Sequence, residues 1–309
     1  MLLVSESEVR QVLDLDDLAE ALSTALTALA AGATSVPARI AARTGAGMLA
    51  AMPGYVPGLG LAAKLVSVYP GNDGAVAPSH QAVVVAFDEA TGTPTALVSG
   101  SYLTAMRTAM TSALAARVLA GPGALTLAVL GAGVQGAAHL IALSHLLPVG
   151  EAVIASRNPG RAAELAARHP GARAVASFEE AAREADVVCC CTDATSPVLE
   201  DGWIRAGAHV SSVGSGAELP DGLVRRGRVV VESRDATAPP PTGAVELQGI
   251  DPASLTLLGD VLAGRAPGRR SPDEVTVFKS TGHAVEDVAA CAVALHRAQA
   301  LGVGTVLPL

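Results

Sequence analysis

The chain has 309 residues, 50% of them hydrophobic and 16% charged, with a formal net charge of −8. That length holds two domains with cores of their own, and the acidic balance excludes the basic stripe of a nucleic-acid binder. No apolar run reaches the ~18–20 residues of a membrane span, and MLLVSESEVRQ at the start has no basic segment ahead of an apolar one, so a cytoplasmic protein is expected.

From the N-terminus, Leu15, Leu18, Leu22, Leu26 and Leu29 recur at helical spacing and Gly32 stops the run, which predicts a helix from Asp14 to Gly32. Residues 36–98 turn to strand patterns. LAAKLVSVY (61–69) ends at Pro70-Gly71-Asn72, and AVVVAF (82–87) and TALV (95–98) flank a glycine-containing hairpin turn. Met52-Pro53-Gly54 reads as a turn. Ser101 to Ala120 is a predicted helix with Leu103, Met106, Met110 and Leu114 on one face, closed by Gly121-Pro122-Gly123 as a domain boundary.

Beyond that boundary strands and helices alternate. Strands are expected at 125–130, 152–156, 185–192, 209–214, 228–233 and 275–280. Helices are expected to about Leu147, over 160–168 and over 284–302, and APPPTG (238–243) is a rigid loop. The alternation predicts βαβ units and a doubly wound sheet. Cys189, Cys190 and Cys191 are consecutive in a continuous apolar strand and, with Cys291, read as small buried hydrophobes rather than metal ligands. Reduced thiols fit a cytoplasmic protein.

Gly131, Gly133 and Gly136 form G-x-G-x-x-G between an apolar strand and a helix. In that context the glycines allow a tight turn, a close approach to a pyrophosphate and close helix–strand packing, with phosphate at the positive helix end. The second strand ends in Ser156-Arg157-Asn158, without the carboxylate that bonds an NAD ribose, and Glu151 lies at the wrong end of that strand. Ser and Arg can bond a 2′-phosphate, so NADP(H) is favoured, with NAD(H) the alternative.

Lys+Arg total 21, yet only Lys64 and Lys279 are lysines. A lysine kept in an arginine background offers a compact ammonium whose pKa moves on burial. Lys64 lies in an apolar strand. With Arg39 and Arg107 it makes an anion-binding set suited to a carboxylate. His80 and His283 are candidate proton donors.

VPAR (36–39), AAMPGY (50–55), AAKLVSVYPGN (62–72), FDEATGTPTAL (87–97), LTAMRTAMTSALAARVLA (103–120), VLGAGVQG (129–136), ADVVCCCT (185–192), SSVG (211–214) and VTVFKSTGHAVEDVAA (275–290), in that order, resemble the ornithine cyclodeaminase/μ-crystallin family over essentially the whole chain. The resemblance implies an α/β protein: a Rossmann-type NAD(P)-binding domain, 121–283, plus an α+β substrate-binding and dimerisation domain, 1–120, joined by the C-terminal helix, 284–309. It implies a homodimer with the N-terminal sheets in contact. Arg39 and Lys64 would hold the substrate carboxylate; Met52, in a stretch read as shaping the pocket wall, is a further substrate-binding candidate. Arg107 would lie by the nicotinamide and carboxylate, and Ser79, where the family usually has Thr, would touch the cofactor. Gly131, Gly133, Val134, Gln135, Gly136, Ser156, Arg157, Thr192, Val213 and Gly214 would line the dinucleotide, with Lys279 near the nicotinamide.

One departure matters. Cyclodeaminases of this family carry an Asp after the fifth strand, in a loop of the type GGDxPGxxEL, that binds the substrate amine. Here the stretch is VGSGAELPD (213–221), and Gly216 stands at the Asp position, with Glu218 and Asp221 off the spacing. The expected activity is therefore reduction of the C=N bond of a small ketimine or α-imino carboxylate, or oxidation of the matching amino acid, with Lys64 and Arg107 catalytic. The alternatives are an ornithine or lysine cyclodeaminase that recycles NAD+ and a low-activity NADPH-dependent ligand-binding protein. No metal, nucleic acid or membrane partner is expected.

Overall fold

The computed structural model describes residues 1–72, 77–214, 216–240 and 242–308. Ser215 of the departing loop and Pro241 of the APPPTG loop lie outside them. Two compact units are present: Met1–Arg107 with His283–Leu309, and Thr108–Gly282.

The first unit opens with β1 (Leu2–Val4), α1 (Glu6–Val12) and α2 (Leu15–Ala30). Ser5 and Glu8 form a capping box on α1, and the Asp14 carboxylate accepts the Asp16 and Asp17 N–H groups at the start of α2, so both helices begin on side chains that satisfy their orphan donors. The predicted leucine stripe buries Leu18, Leu22 and Leu26 completely. Next come β2 (Ile40–Arg43), β3 (Met48–Val56), β4 (Gly60–Val68), β5 (His80–Phe87) and β6 (Pro94–Ser99), then α3 (Gly100–Leu119), inside which the division falls. Met52-Pro53-Gly54 is not a turn but the middle of β3. Pro53 lies past Ala51, the last β3 residue paired to β2, and proline is tolerated at such an edge.

Strands β2 to β6 form an antiparallel meander in which Met52, Lys64, Val84 and Val98 stand opposite one another. Side chains alternate across a strand, so this row lies on one face and the row Ile40, Ala51, Leu65, Val83 lies on the other. The first row is buried.

The second unit contains β7 (Leu125–Leu130), α4 (Val134–Leu146), β8 (Val149–Ala155), α5 (Pro159–Ala167), β9 (Ala172–Ala174), α6 (Phe178–Arg183), β10 (Val187–Cys190), β11 (His209–Ser212), α7 (Asp221–Arg226), β12 (Arg228–Val231), β13 (Thr256–Leu257), α8 (Leu258–Leu262) and β14 (Thr276–Lys279). Its eight strands are all parallel, in the order β13-β12-β14-β11-β10-β7-β8-β9. This is the doubly wound sheet. The order reverses at β7, which lies between β8 and β10, and ligands of such sheets bind beyond the strand ends at that switch point. Buried histidines brace the unit. His139 on α4 bonds the Gln135 carbonyl and Ser112 Oγ, and burial lowers its pKa to about 4, so it packs as a neutral ring.

The chain ends with α9 (Ala284–Leu301) and β15 (Thr305–Val306). Both belong to the first unit, whose sheet order is β15-β1-β6-β5-β4-β3-β2. Helix α9 lies on β3 and β4 beside α2. A Cβ on Gly54 would sit 3.3 Å from Ala284 and Val288 side-chain carbons, so the glycine lets the first turn of α9 approach the sheet. All four cysteines are free and buried, and burial pushes the Cys291 thiol up to about 12. Among the described residues no helix is long and apolar enough to cross a membrane, and no group of metal-ligating side chains is present.

Candidate active site

The first unit buries four charges together. Lys64 points from the covered face of β4 and is 2% exposed. Its Nζ lies 2.9 Å from both carboxylate oxygens of Asp287. Arg107 on α3 donates from Nε to Asp287 Oδ1 at 3.0 Å and from a terminal nitrogen to Glu286 Oε2. Glu286 and Asp287 occupy the first turn of α9, after the N-cap His283, where the helix dipole favours negative charge. Two cations face two anions, so the cluster is formally neutral.

Burial pushes the Lys64 ammonium down and Arg107 pushes it further, while Asp287 and Glu286 hold it up. The outcome is a pKa of about 8 instead of 10.5. Burial pushes the Asp287 carboxyl up, but Arg107 and Lys64 outweigh that and leave it below the ordinary carboxylate value. Among the described residues Asp287 alone accepts a hydrogen bond from Lys64. An ammonium has three donors, so Lys64 keeps donors for a ligand.

The other predicted residues of this unit fall as follows. Met52 is buried directly opposite Lys64. Arg39 is half-buried one residue before β2. Ser79 precedes β5 and bonds the His80 ring at 3.1 Å. The His283 ring accepts the Val285 N–H as a cap.

In the second unit the glycine motif lies at the end of β7, beside the switch point. Gly131 has φ +109°, and a Cβ there would meet the Cys191 carbonyl oxygen at 2.5 Å. A Cβ on Gly136 would meet the Gly131 oxygen at 1.8 Å, whereas the Cβ position of Gly133 is open. Gly133 is also the N-cap of α4 and offers no side-chain cap, so first-turn N–H groups stay available to an anion. Val134 is 74% exposed, and Gln135 Oε1 is buried with no hydrogen-bond partner among the described residues. The open Gly133 position and the uncapped first-turn N–H groups of α4 fit a pyrophosphate.

At the end of β8, Ser156 Oγ accepts the Asn158 N–H. Arg157 pairs at 2.8 Å with Asp193, both largely exposed. Glu151 pairs with Arg173. Thr192, Val213 and Gly214 lie past β10 and β11, and the Val213 N–H donates to the Cys190 carbonyl. Lys279 ends β14, fully buried and bonded to Glu246.

A Cβ on Gly216 would lie 2.0 Å from the Ala194 carbonyl oxygen, so this backbone has no room for an Asp there. Neither acidic neighbour replaces it. Glu218 is buried with both oxygens bonded inside the unit, and Asp221 is exposed at the start of α7. Sequence reasoning missed Glu286 and Asp287 as partners of Lys64 and Arg107. The available signal was an adjacent acid pair in an otherwise apolar helix, AVEDVAACAVAL.

The family model described as Ornithine cyclodeaminase/mu-crystallin family matches residues 1–301. Ketimine reductase mu-crystallin of Mus musculus is 38% identical over 250 residues, 79% of this chain and 78% of that protein. Delta(1)-pyrroline-2-carboxylate reductase of Bacillus cereus is 32% identical over 98% of both chains. The structure of Thermococcus litoralis Delta(1)-pyrroline-2-carboxylate reductase in complex with NADH and L-proline superposes with a TM-score of 0.94 at 32% identity, covering 99% of this chain and 100% of that one.

Removing one member of a buried ion cluster leaves its partner desolvated and unpaired, which costs about 3–5 kcal/mol, whereas replacing a pair by apolar groups is often neutral. Asp287→Ala is therefore expected to lose about 3–5 kcal/mol in urea unfolding. Adding Lys64→Met should restore part of that loss. A double variant as unstable as the two single losses summed would show that the pair is not coupled.

Proposed function

The chain belongs to the ornithine cyclodeaminase/mu-crystallin family, and from that premise we propose an NAD(P)H-dependent reductase acting on the C=N carbon of a small ketimine or α-imino carboxylate, with oxidation of the matching amino acid as the reverse reaction. The observation that carries this reading is Lys64, a buried ammonium with donors to spare beside Arg107. Reduction of an imine needs one hydride at carbon and one proton at nitrogen. When bound, the reduced dinucleotide supplies the hydride. Gly131 and Gly136 would let the loop close and pack, Gly133, Val134 and Gln135 would face its pyrophosphate, and Ser156, Arg157, Thr192, Val213 and Gly214 would line the rest. On the family resemblance Ser79, Arg107 and Lys279 also serve the cofactor.

The chain's own groups do the remainder. Arg39 and Lys64 bind the substrate carboxylate, Met52 packs beside it, and Arg107 orients it. Charge complementarity and positioning dominate such catalysis. Lys64 also supplies the proton, because an acid with a pKa near 8 is mostly protonated at neutral pH yet gives its proton up readily. Asp287 holds the ammonium in place. A buried ion cluster is poor evidence of stabilisation, so these four charges are better explained by a reaction than by the fold.

Cyclodeamination is the runner-up and lacks its amine-binding Asp at Gly216. The presence of both Lys64 and Arg107 in the buried cluster argues against a ligand-binding protein without turnover. The dinucleotide is NADP(H): Arg157 lies just past the end of β8, and its exposed pair with Asp193 is of a kind worth about 0–1 kcal/mol, which a 2′-phosphate would displace. The protein is a homodimer through the sheet face opposite Lys64, where Ile40 is 71%, Leu49 48% and Val83 37% exposed, an apolar face of the kind that marks an interface.

Pyrroline-2-carboxylate, piperideine-2-carboxylate and related imines should drive NADPH oxidation, and absence of turnover across that panel would sink the proposal. The rate should fall as pH rises through about 8, where Lys64 loses its proton. Asp287→Asn removes the charge that holds the pKa up, so its alkaline limb should move to lower pH, and an unmoved limb would remove Lys64 from the proton transfer. Arg157→Ala should lower the NADPH-over-NADH preference about tenfold or more, since a hydrogen bond to a charged group is worth about 1.5–3 kcal/mol. An unchanged ratio would place the 2′-phosphate elsewhere.

A further inference from the structure

The second lysine leads to a different cluster. Lys279 Nζ donates to Ser212 Oγ at 2.9 Å, to the Gly214 carbonyl at 2.9 Å and to Glu246 Oε1 at 3.0 Å. Three acceptors use all three of its donors. Glu218 is equally buried. Its Oε1 accepts the Thr192 N–H at 2.7 Å and hydroxyl at 2.6 Å, and its Oε2 accepts the Ser212 hydroxyl and the Gly214 N–H, both at 2.7 Å. The Glu218 N–H donates to Glu246 Oε1 at 2.9 Å. Three ionisable side chains thus bind the ends of β10, β11 and β14 to one another and to the 3-10 turn Val245–Leu247.

The glycine loop rests on the same framework. The Cβ position of Gly131 lies 2.5 Å from the Cys191 oxygen and 3.2 Å from Thr192 Cγ2. Thr192 is fixed at both its N–H and its hydroxyl by Glu218. On the next strand end, a Cβ on Gly214 would lie 2.5 Å from Glu218 Cδ and 2.7 Å from the Thr192 oxygen. Thr192 follows β10, the neighbour of the glycine loop's own strand β7, and Val213 and Gly214 follow β11, one strand further out, so these two strand ends take their spacing from one carboxylate.

We infer that Glu218, braced by the Lys279–Glu246 pair, is a positioning residue for the dinucleotide: it sets the strand-end geometry against which the glycine loop lies. It acts through Thr192 and Gly214 and touches no reacting atom. Lys279 serves the cofactor by holding Gly214 and Ser212, not by donating to it. The inference rests on the dinucleotide-binding reading above.

Glu218→Gln keeps the shape but turns one oxygen into an NH2 that faces two donors. Calorimetric titration with NADPH and NADH, a melting curve, and steady-state kinetics in both substrates test the idea. The dinucleotide Kd and KM are expected to rise about tenfold or more, with the imine KM and the kcat at saturating dinucleotide within about twofold. A purely structural role would lower the melting temperature and the active fraction while leaving the dinucleotide Kd unchanged, and that result would overturn the inference. If Glu218→Gln does not fold, Ser212→Ala decides: it removes one bond to Glu218 and one to Lys279, and is expected to weaken dinucleotide binding about threefold. An unchanged Kd there overturns the inference equally. A wild-type chain that binds neither dinucleotide overturns the reading beneath it and this inference with it.

Discussion

Burying Lys64 is the constraint on which the first unit depends. An ammonium taken out of water needs a partner close at hand, and Asp287 lies 223 residues away in the chain. Only the return of the C-terminal helix to the N-terminal sheet brings it there. Gly54 lets the helix come close, His283 caps it, and its first turn places Glu286 and Asp287 where the dipole favours them. Arg107 then joins both acids, so the packing of α9 and the electrostatics of the site are one arrangement.

The second unit solves a similar problem around Lys279. There too a lysine is fully buried, but Ser212, Gly214 and Glu246 use all three of its donors. The two lysines therefore differ in how many of their donors the protein uses. Lys64 has donors left over and a pKa moved to about 8, which suits a group that binds and protonates. Lys279 is saturated, which suits a group that holds loops. Arginine fits neither place well: its planar fork spreads five donors over a larger head, and its pKa stays far above neutral.

Much of this was legible in the sequence because local patterns encode it. The helix of α2, the apolar strand into G-x-G-x-x-G, the continuous VVCC strand of a parallel sheet and the long α9 all follow from periodicity and breakers. The spacing of the three loop glycines marks the turn, and the Cβ contacts at Gly131 and Gly136 give its physical reason. What the sequence could not disclose was tertiary. Lys64 shows no sign of Asp287 at any local spacing, and Glu218 looks like an off-register acid until the loops past β10 and β11 close on it. Met52-Pro53-Gly54 read as a turn from its Pro-Gly content. Only the early end of β2 shows why a strand tolerates Pro53 there.

Lys64 serves the site by its compact shape and its movable proton, not by its charge alone. Lys64→Arg separates these, because it preserves the charge facing Asp287 but not the compact head or the lowered pKa. The direct measurement is kcat/KM for imine reduction in that variant, with the dinucleotide Kd determined alongside as a check of the second unit. The expected result is a fall of about a hundredfold or more in kcat/KM, of the order general acid catalysis contributes, with the dinucleotide Kd unchanged. Retention of wild-type kcat/KM would show that a guanidinium serves equally well and leave the scarcity of lysine in this chain as a matter of composition alone.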